Sequence, residues 1–437
     1  MRVLLSFENF AAFGGTESYT LTVATELERL GHEVAIYSPN HGAMADFARG
    51  QGVNVVSRHE LPASSDLLIC SDTATCHELA GRYHDAVRIF VVHSVDFMVQ
   101  APPQLHDRCQ AVVVLNDRVR RAVEARGWHA PIVRLRQPID FPRFAGIGVG
   151  GSSARTAVVL GNAVSGARGE LIEDACRASG LDVKWIGNDT NPTPTPEVAI
   201  AGSRLVIGLG RSVLEAMAAG RAAYVYGVIG GDGWVTPERY ASMEADGFAG
   251  TSATDVVIDG PRMADDLRAW DEQMGGLNRD LVAAHHTARE HAIELVNLAR
   301  RLDASPAAGP SVNEELAHLI RLQWQTEARA MANLAEADRV STLLAQAHED
   351  VAQLASVAQA TNEQLEAAQN AARAADEQRE ALQASVAQAQ IAVAQAQSAA
   401  RAAHEQLEEL RNTRRYRLAC RIASPLDQIR ARLRGAG

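Results

Sequence analysis

The stretch GLGRSVLE, residues 208–215, carries the groups best suited to chemistry. Gly208 and Gly210 clear backbone space in a turn that follows an apolar run and opens a helix. The free amides and dipole of a helix N-terminus favour an anion. Amides near Arg211 and Ser212 can donate to a diphosphate, and Arg211 adds charge. Glu215 lies one turn into the helix, placed to accept from a ribose hydroxyl. A second glycine turn lies in AAFGGTESY, where Gly14 and Gly15 permit close backbone approach and Thr16 can cap. Neither turn has the G-x-G-x-x-G spacing of a dinucleotide-binding loop, and neither is a P-loop. Taken singly, each is also explained by an ordinary tight turn.

Both turns need strands to end on and helices to begin. Apolar runs at 2–7, 33–38, 53–57, 66–70, 87–94 and 111–116 read as strands. Helical patterns at 16–30, 41–50, 73–84, 102–108 and 117–126 alternate with them. That alternation predicts a parallel sheet covered on both faces. A glycine- and serine-rich linker at 144–156 precedes a restart of the pattern: strand 156–162, helix 168–179, strand 182–187, the loop NPTPTP, then the glycine turn with its flanking strands. Helices around 262–273 and 278–302 close this second α/β domain, and a polar glycine loop, GGDGWVTPE, lies beside the site with Asp232 and Thr236 as further polar groups.

From residue 312 alanine, glutamine, glutamate and arginine dominate. A three-and-four spacing of small and apolar residues runs from Ala337 to Leu410, about ten heptads, and predicts a long coiled coil that self-associates. Residues 411–434 hold eight arginines against the single acid Asp427. A basic amphipathic end of this kind suits a peripheral membrane contact, a solvated tail or an oligomer contact. The expected organisation is therefore 1–145, 155–303, a coiled coil over 312–410, and a basic tail over 411–437.

A chain of 437 residues, 47% hydrophobic and 22% charged, is ordinary for a soluble protein of two or three domains. Its formal charge of −11 argues against nucleic acid as a main partner. Lys184 is the only lysine, so phosphate-binding cations are expected to be arginines. The five cysteines are scattered, with no metal spacing, and read as buried hydrophobes. No stretch approaches the roughly 20 apolar residues of a membrane span, and the first apolar run is short for a signal peptide. A cytoplasmic protein is expected.

Taken in order, these segments resemble the retaining, GT-B-fold nucleotide-sugar glycosyltransferases of family four. GGTESYTLTVATELERLGHEVAIYSP looks like that family's glycine loop and first helix. VVHSVD is similar to its strand ending in histidine, RLRQPID to the segment closing its first domain, and EAMAAGRAAYVYG to its C-terminal motif. The resemblance covers roughly residues 1–300. It implies two doubly wound Rossmann-like domains clamping a nucleotide-sugar co-substrate, with final helices crossing back over the first domain and no resident cofactor. It places Gly14 and Gly15 near the donor phosphates and acceptor, His93 close to the transferred sugar as the catalytic-site candidate, Arg168 on the diphosphate and Glu215 on the ribose. Ile207 stands where the family has a sugar-binding glutamate, and Asn162 where it has an arginine. The function this implies is sugar transfer to a glycan or lipid-linked acceptor in envelope or surface polysaccharide assembly. A second reading is an inactive head of the same shape on a coiled-coil scaffold.

Overall fold

The apolar runs between residues 2 and 134 fold as strands whose side chains alternate between two buried faces. The computed structural model describes residues 1–94, 98–103, 105–128, 131–146, 155–161, 164, 166–187, 190–228, 230–253, 257–304, 310–360 and 365–412. In chain order the first domain comprises β1 (Arg2–Ser6), β2 (Asn9–Phe10), α1 (Gly15–Arg29), β3 (Glu33–Tyr37), β4 (Asn40–His41), α2 (Ala43–Gly50), β5 (Val55–Val56), β6 (Leu67–Cys70), α3 (Thr73–Arg82), β7 (Val87–Val92), β8 (Ala111–Val114), α4 (Asp117–Ala125) and β9 (Ile132–Arg134). Seven of these strands make one parallel sheet in the order β5-β3-β1-β6-β7-β8-β9. Val3, Leu5, Ile36, Ile69 and Val91 face one way, and Leu4, Tyr37, Leu68, Phe90 and Val112 face the other. Two helix layers cover these faces, which explains why the strands read as unbroken apolar runs.

The second domain follows: α5 (Phe141–Ala145), β10 (Thr156–Leu160), α6 (Gly166–Ala178), β11 (Asp182–Ile186), α7 (Pro196–Ala201), β12 (Leu205–Gly208), α8 (Arg211–Ala218), β13 (Ala222–Tyr226), β14 (Gly231–Trp234), α9 (Pro237–Asp246), α10 (Gly260–Arg268) and α11 (Gln273–His285). Its sheet runs β11-β10-β12-β13-β14, parallel except for the last strand. The strands β10 to β13 and helices α6 and α8 follow the sequence pattern, α5, α7 and α9 were not among the expected elements, and three expected segments across the two domains take another form. GGDGWVTPE holds an antiparallel edge strand, β14, in place of a free loop. There Asp232 is buried and accepts from the amides of Ser252 and Ala253. The expected helix at 278–302 breaks into α11 and α12 (Ala288–Arg300) at Thr287, whose hydroxyl caps the second piece. Residues 102–108 yield a single 3₁₀ turn at His106–Arg108 in place of a helix.

The chain returns in α12, whose Ala292, Leu295 and Val296 join the core of the first sheet beside Val23 and Leu27 of α1. Two long helices follow, α13 (Pro310–Ala360) and α14 (Leu365–Asn412). They expose large apolar side chains, Leu319, Met331, Leu334, Leu343 and Ile391 among them. The chain divides into two units, Met1–Trp324 and Gln325–Gly437, so the first turns of α13 belong with the α/β part. Most of the linker at 144–156, and all of the tail beyond Asn412, lie outside the described residues. No described helix is long and apolar enough to cross a membrane.

Candidate functional site

The carboxyl ends of the strands in both domains open on one cleft, the place where open parallel sheets bind ligands. Its volume is ≈ 670 Å³, within the range of small-molecule sites. Gly14, Gly15 and Ser18 line one wall, and Gly208, Ser212 and Glu215 line the other. The starts of α1 and α8 therefore both face the cavity. Gly14 is the N-cap of α1, with extended backbone and no capping side chain. Thr16, expected as the cap, is instead the second residue of the helix. Gly210 caps α8 with φ 57° and ψ −123°, a conformation that favours glycine. Gly208 is required for another reason: a Cβ there would lie 2.7 Å from the Leu160 carbonyl oxygen on the neighbouring strand. The Arg211 amide has no backbone acceptor among the described residues, as expected for a helix start.

Three arginine–acid pairs stand around this cavity. Arg143 donates to Glu197 at 2.6 Å, Arg29 lies 3.9 Å from Asp140, and Arg211 donates from Nε to Glu215 Oε1 at 2.9 Å. The last pair is buried on both sides. Burial pushes the Glu215 carboxyl upward, and Arg211 and Arg143 oppose that shift. Arg211 is engaged further: Nη1 donates to the Pro138 carbonyl at 3.0 Å and Nη2 to Thr22 Oγ1 at 3.0 Å. The guanidinium expected to face a diphosphate is thus held by three protein acceptors.

Pro138 belongs to the strap that joins the domains, and its two preceding carbonyls are held in the same manner. His286 Nδ1 lies 2.7 Å from the Gln137 oxygen, and His291 Nδ1 lies 2.9 Å from that of Arg136. A carbonyl only accepts, so both imidazoles carry their proton on Nδ1. Their Nε2 atoms accept from Tyr240 and Tyr19 hydroxyls, each at 2.8 Å. Burial lowers both histidines to about 4. Tyr19 comes from the first domain and Tyr240 from the second. No periodicity signals these residues, because their partners are main-chain oxygens. The Asp140 and Arg143 positions carried a weak signal in Pro142, the second residue of α5.

His93 follows β7 and is not among the residues lining the cavity. Its Nε2 lies 3.1 Å from Ser71 Oγ, its ring meets Tyr19 edge-on at 4.5 Å, and burial lowers it to about 3. Arg168, in the first turn of α6, is exposed and donates to the Gly227 carbonyl at 3.1 Å; its guanidinium stands 5.9 Å from the ring of Tyr226, which does line the cavity. Ile207 is fully buried in the core of the second sheet. Asn162 lies outside the described residues. Among the described residues no group of three or more histidines, cysteines or acids is placed to hold a metal ion.

Two Rossmann-like sheets facing across a cleft, with helical segments after the second returning to the first, give this chain the GT-B glycosyltransferase fold. Solved structures of that fold align with it at low identity. HepE from Anabaena, solved with UDP and glucose and again with UDP-glucose, is 11% identical over 69% of this chain and 100% of its own, with a TM-score of 0.50. A TarM variant from S. aureus, solved with fondaparinux, alpha-GlcNAc-glycerol and UDP, is 10% identical over 68% of this chain and 99% of its own, with a TM-score of 0.49. No protein-family model and no curated protein matches the chain.

Proposed function

We propose that the protein is a glycosyltransferase that binds a nucleoside-diphosphate sugar in the interdomain cleft and transfers the sugar with retention to an acceptor. The observation that carries this reading is the convergence of the α8 start and the Glu215 carboxylate on one cavity whose opposite wall is the α1 start. Backbone amides at the two helix starts receive the diphosphate and stabilise it as it leaves. Glu215 takes the ribose. Arg168 and His93 enter this reading from the family resemblance alone, as contacts to the diphosphate and the transferred sugar. No protein nucleophile is assigned, and the donor is a co-substrate rather than a resident cofactor. HepE, with UDP-glucose, and TarM, with UDP, are nucleotide-bound examples of the fold.

The transferred group is a hexose and the acceptor a glycan or lipid-linked sugar, in the assembly of an envelope or surface polysaccharide. The apolar residues exposed on α13 and α14 support a homo-oligomer. The arginines of 411–434 support contact with an anionic membrane from the cytoplasmic side. Calorimetry with UDP, GDP and ADP, followed by product detection with the matching nucleotide sugars, tests the central claim. Binding of one of them, lost at least tenfold in Glu215→Gln, is the expected result (about 1.4 kcal/mol or more). A wild-type chain that binds none of the three overturns it.

A further inference from the structure

Arg211 joins three parts of the molecule that no other side chain in the cleft joins among the described residues. Its Nε meets Glu215 on the same helix, its Nη1 meets the strap at Pro138, and its Nη2 meets Thr22 on α1 of the first domain. Thr22 is oriented for this. Its hydroxyl hydrogen is committed to the Ser18 carbonyl at 2.7 Å, which leaves its lone pairs for the guanidinium. On the other side, Glu215 Oε1 is taken by Arg211, and Oε2 has no hydrogen-bond partner among the described residues. The carboxylate is thereby fixed with one oxygen anchored and one available to a hydroxyl. Two of the three anchoring directions come from outside the second domain. A planar guanidinium can satisfy three acceptors in fixed directions, which an ammonium on a flexible stem does not.

Resting on the proposed nucleotide-sugar reading, we infer that Arg211 is a positioning residue: it aims Glu215 at the ribose hydroxyls of the donor and makes that aim depend on the strap and on α1 of the first domain. The nucleotide's hydroxyls are therefore read in full only at the domain spacing in which Thr22 reaches Arg211. Arg211 also lines the cavity, and the role inferred for it is exerted through Glu215.

The test is the factor by which the protein prefers a nucleoside diphosphate over its 2′,3′-dideoxy form. UDP, GDP and ADP and their dideoxy counterparts are titrated by calorimetry into the full chain and into Arg211→Lys and Thr22→Val. The wild type is expected to prefer the hydroxylated form by about tenfold or more, consistent with a hydrogen bond to a charged group. Both variants should lose most of that preference while the dideoxy form binds them as it binds the wild type. A general structural role would weaken both ligand forms equally and leave the preference intact, which overturns the inference while the proposed activity stands. If Arg211→Lys does not fold, Thr22→Val decides alone, since it removes only the Thr22 hydroxyl, with its bonds to Arg211 and to the Ser18 carbonyl, at nearly constant volume. A wild type that binds a diphosphate with no preference for the hydroxylated form also overturns it. A wild type that binds no diphosphate overturns the nucleotide reading itself, and the inference with it.

Discussion

Gly210 adopts a backbone conformation that a side chain reaches only under strain, at the point where β12 gives way to α8. Gly210→Ala should destabilise the protein by about 1–3 kcal/mol, read as a shift in the urea midpoint, because the strain cannot relax without moving the helix start. The buried histidines are a second residue-scale feature. His286 and His291 hold a single Nδ1–H tautomer, so their imidazole ¹⁵N shifts should remain those of neutral rings from pH 8 down to about pH 5. Their folded-state values lie below the ordinary 6.5. The unfolded chain therefore takes up protons first as pH falls. Their contribution to stability is full above pH 6.5 and is lost toward pH 4. Buried Glu8 and half-buried Glu17, both raised to about 7, work in the opposite direction across this window. The histidine contribution is isolated by comparison with His291→Gln: the gap in unfolding free energy between the two proteins should narrow from pH 7 to pH 4.

At the scale of elements, the strap and the helix break at Thr287 form one device. The strap's carbonyls at 136–138 are gripped in turn by His291, His286 and Arg211, and Ile139 pairs with the main chain at His286 and Ala288. Tyr19→Phe and Tyr240→Phe should each cost about 1–3 kcal/mol, because each leaves a buried imidazole nitrogen without its donor. Equilibrium unfolding measures the loss. Much of the sheet architecture was legible: unbroken apolar strands and amphipathic helices follow from hydrophobic periodicity, which the sequence records directly. The glycine turn before Glu215 was legible for a different reason: glycine is the residue that tolerates the geometry at Gly208 and Gly210. The strap's grip was not. A side chain that holds a carbonyl oxygen needs no particular residue on the other side, so nothing in the strap's own sequence announces it. The break at Thr287 was hidden because an amphipathic pattern continues through it. The β14 strand, which carries two of the segment's glycines, looked like a loop for want of side chains.

For the whole molecule, the boundary between head and long helices is set by Arg321. It donates from Nε to both oxygens of Glu8, at 2.9 and 3.0 Å, and from Nη2 to Glu78 at 2.6 Å. Removing it would leave buried acids without that cation, a loss of several kcal/mol. A chain ended after Trp324 should therefore melt at a higher temperature than one ended after residue 311, where composition alone would cut. Light scattering should find both to be monomers if α13 and α14 carry the self-association. The same return of the chain has a consequence for synthesis. The first domain's core includes α12, and its acids wait for Arg321, yet the entire second domain is encoded between them. On the ribosome, where folding proceeds from the N-terminus, the seven-stranded sheet must emerge with this side covered by α1 and α2 but not yet by α12. It stays so until the second domain has been made. For that interval the surface of α1 and β7 that α12 later covers, with Val23, Leu27 and Val91, is open to chaperones or to misassembly.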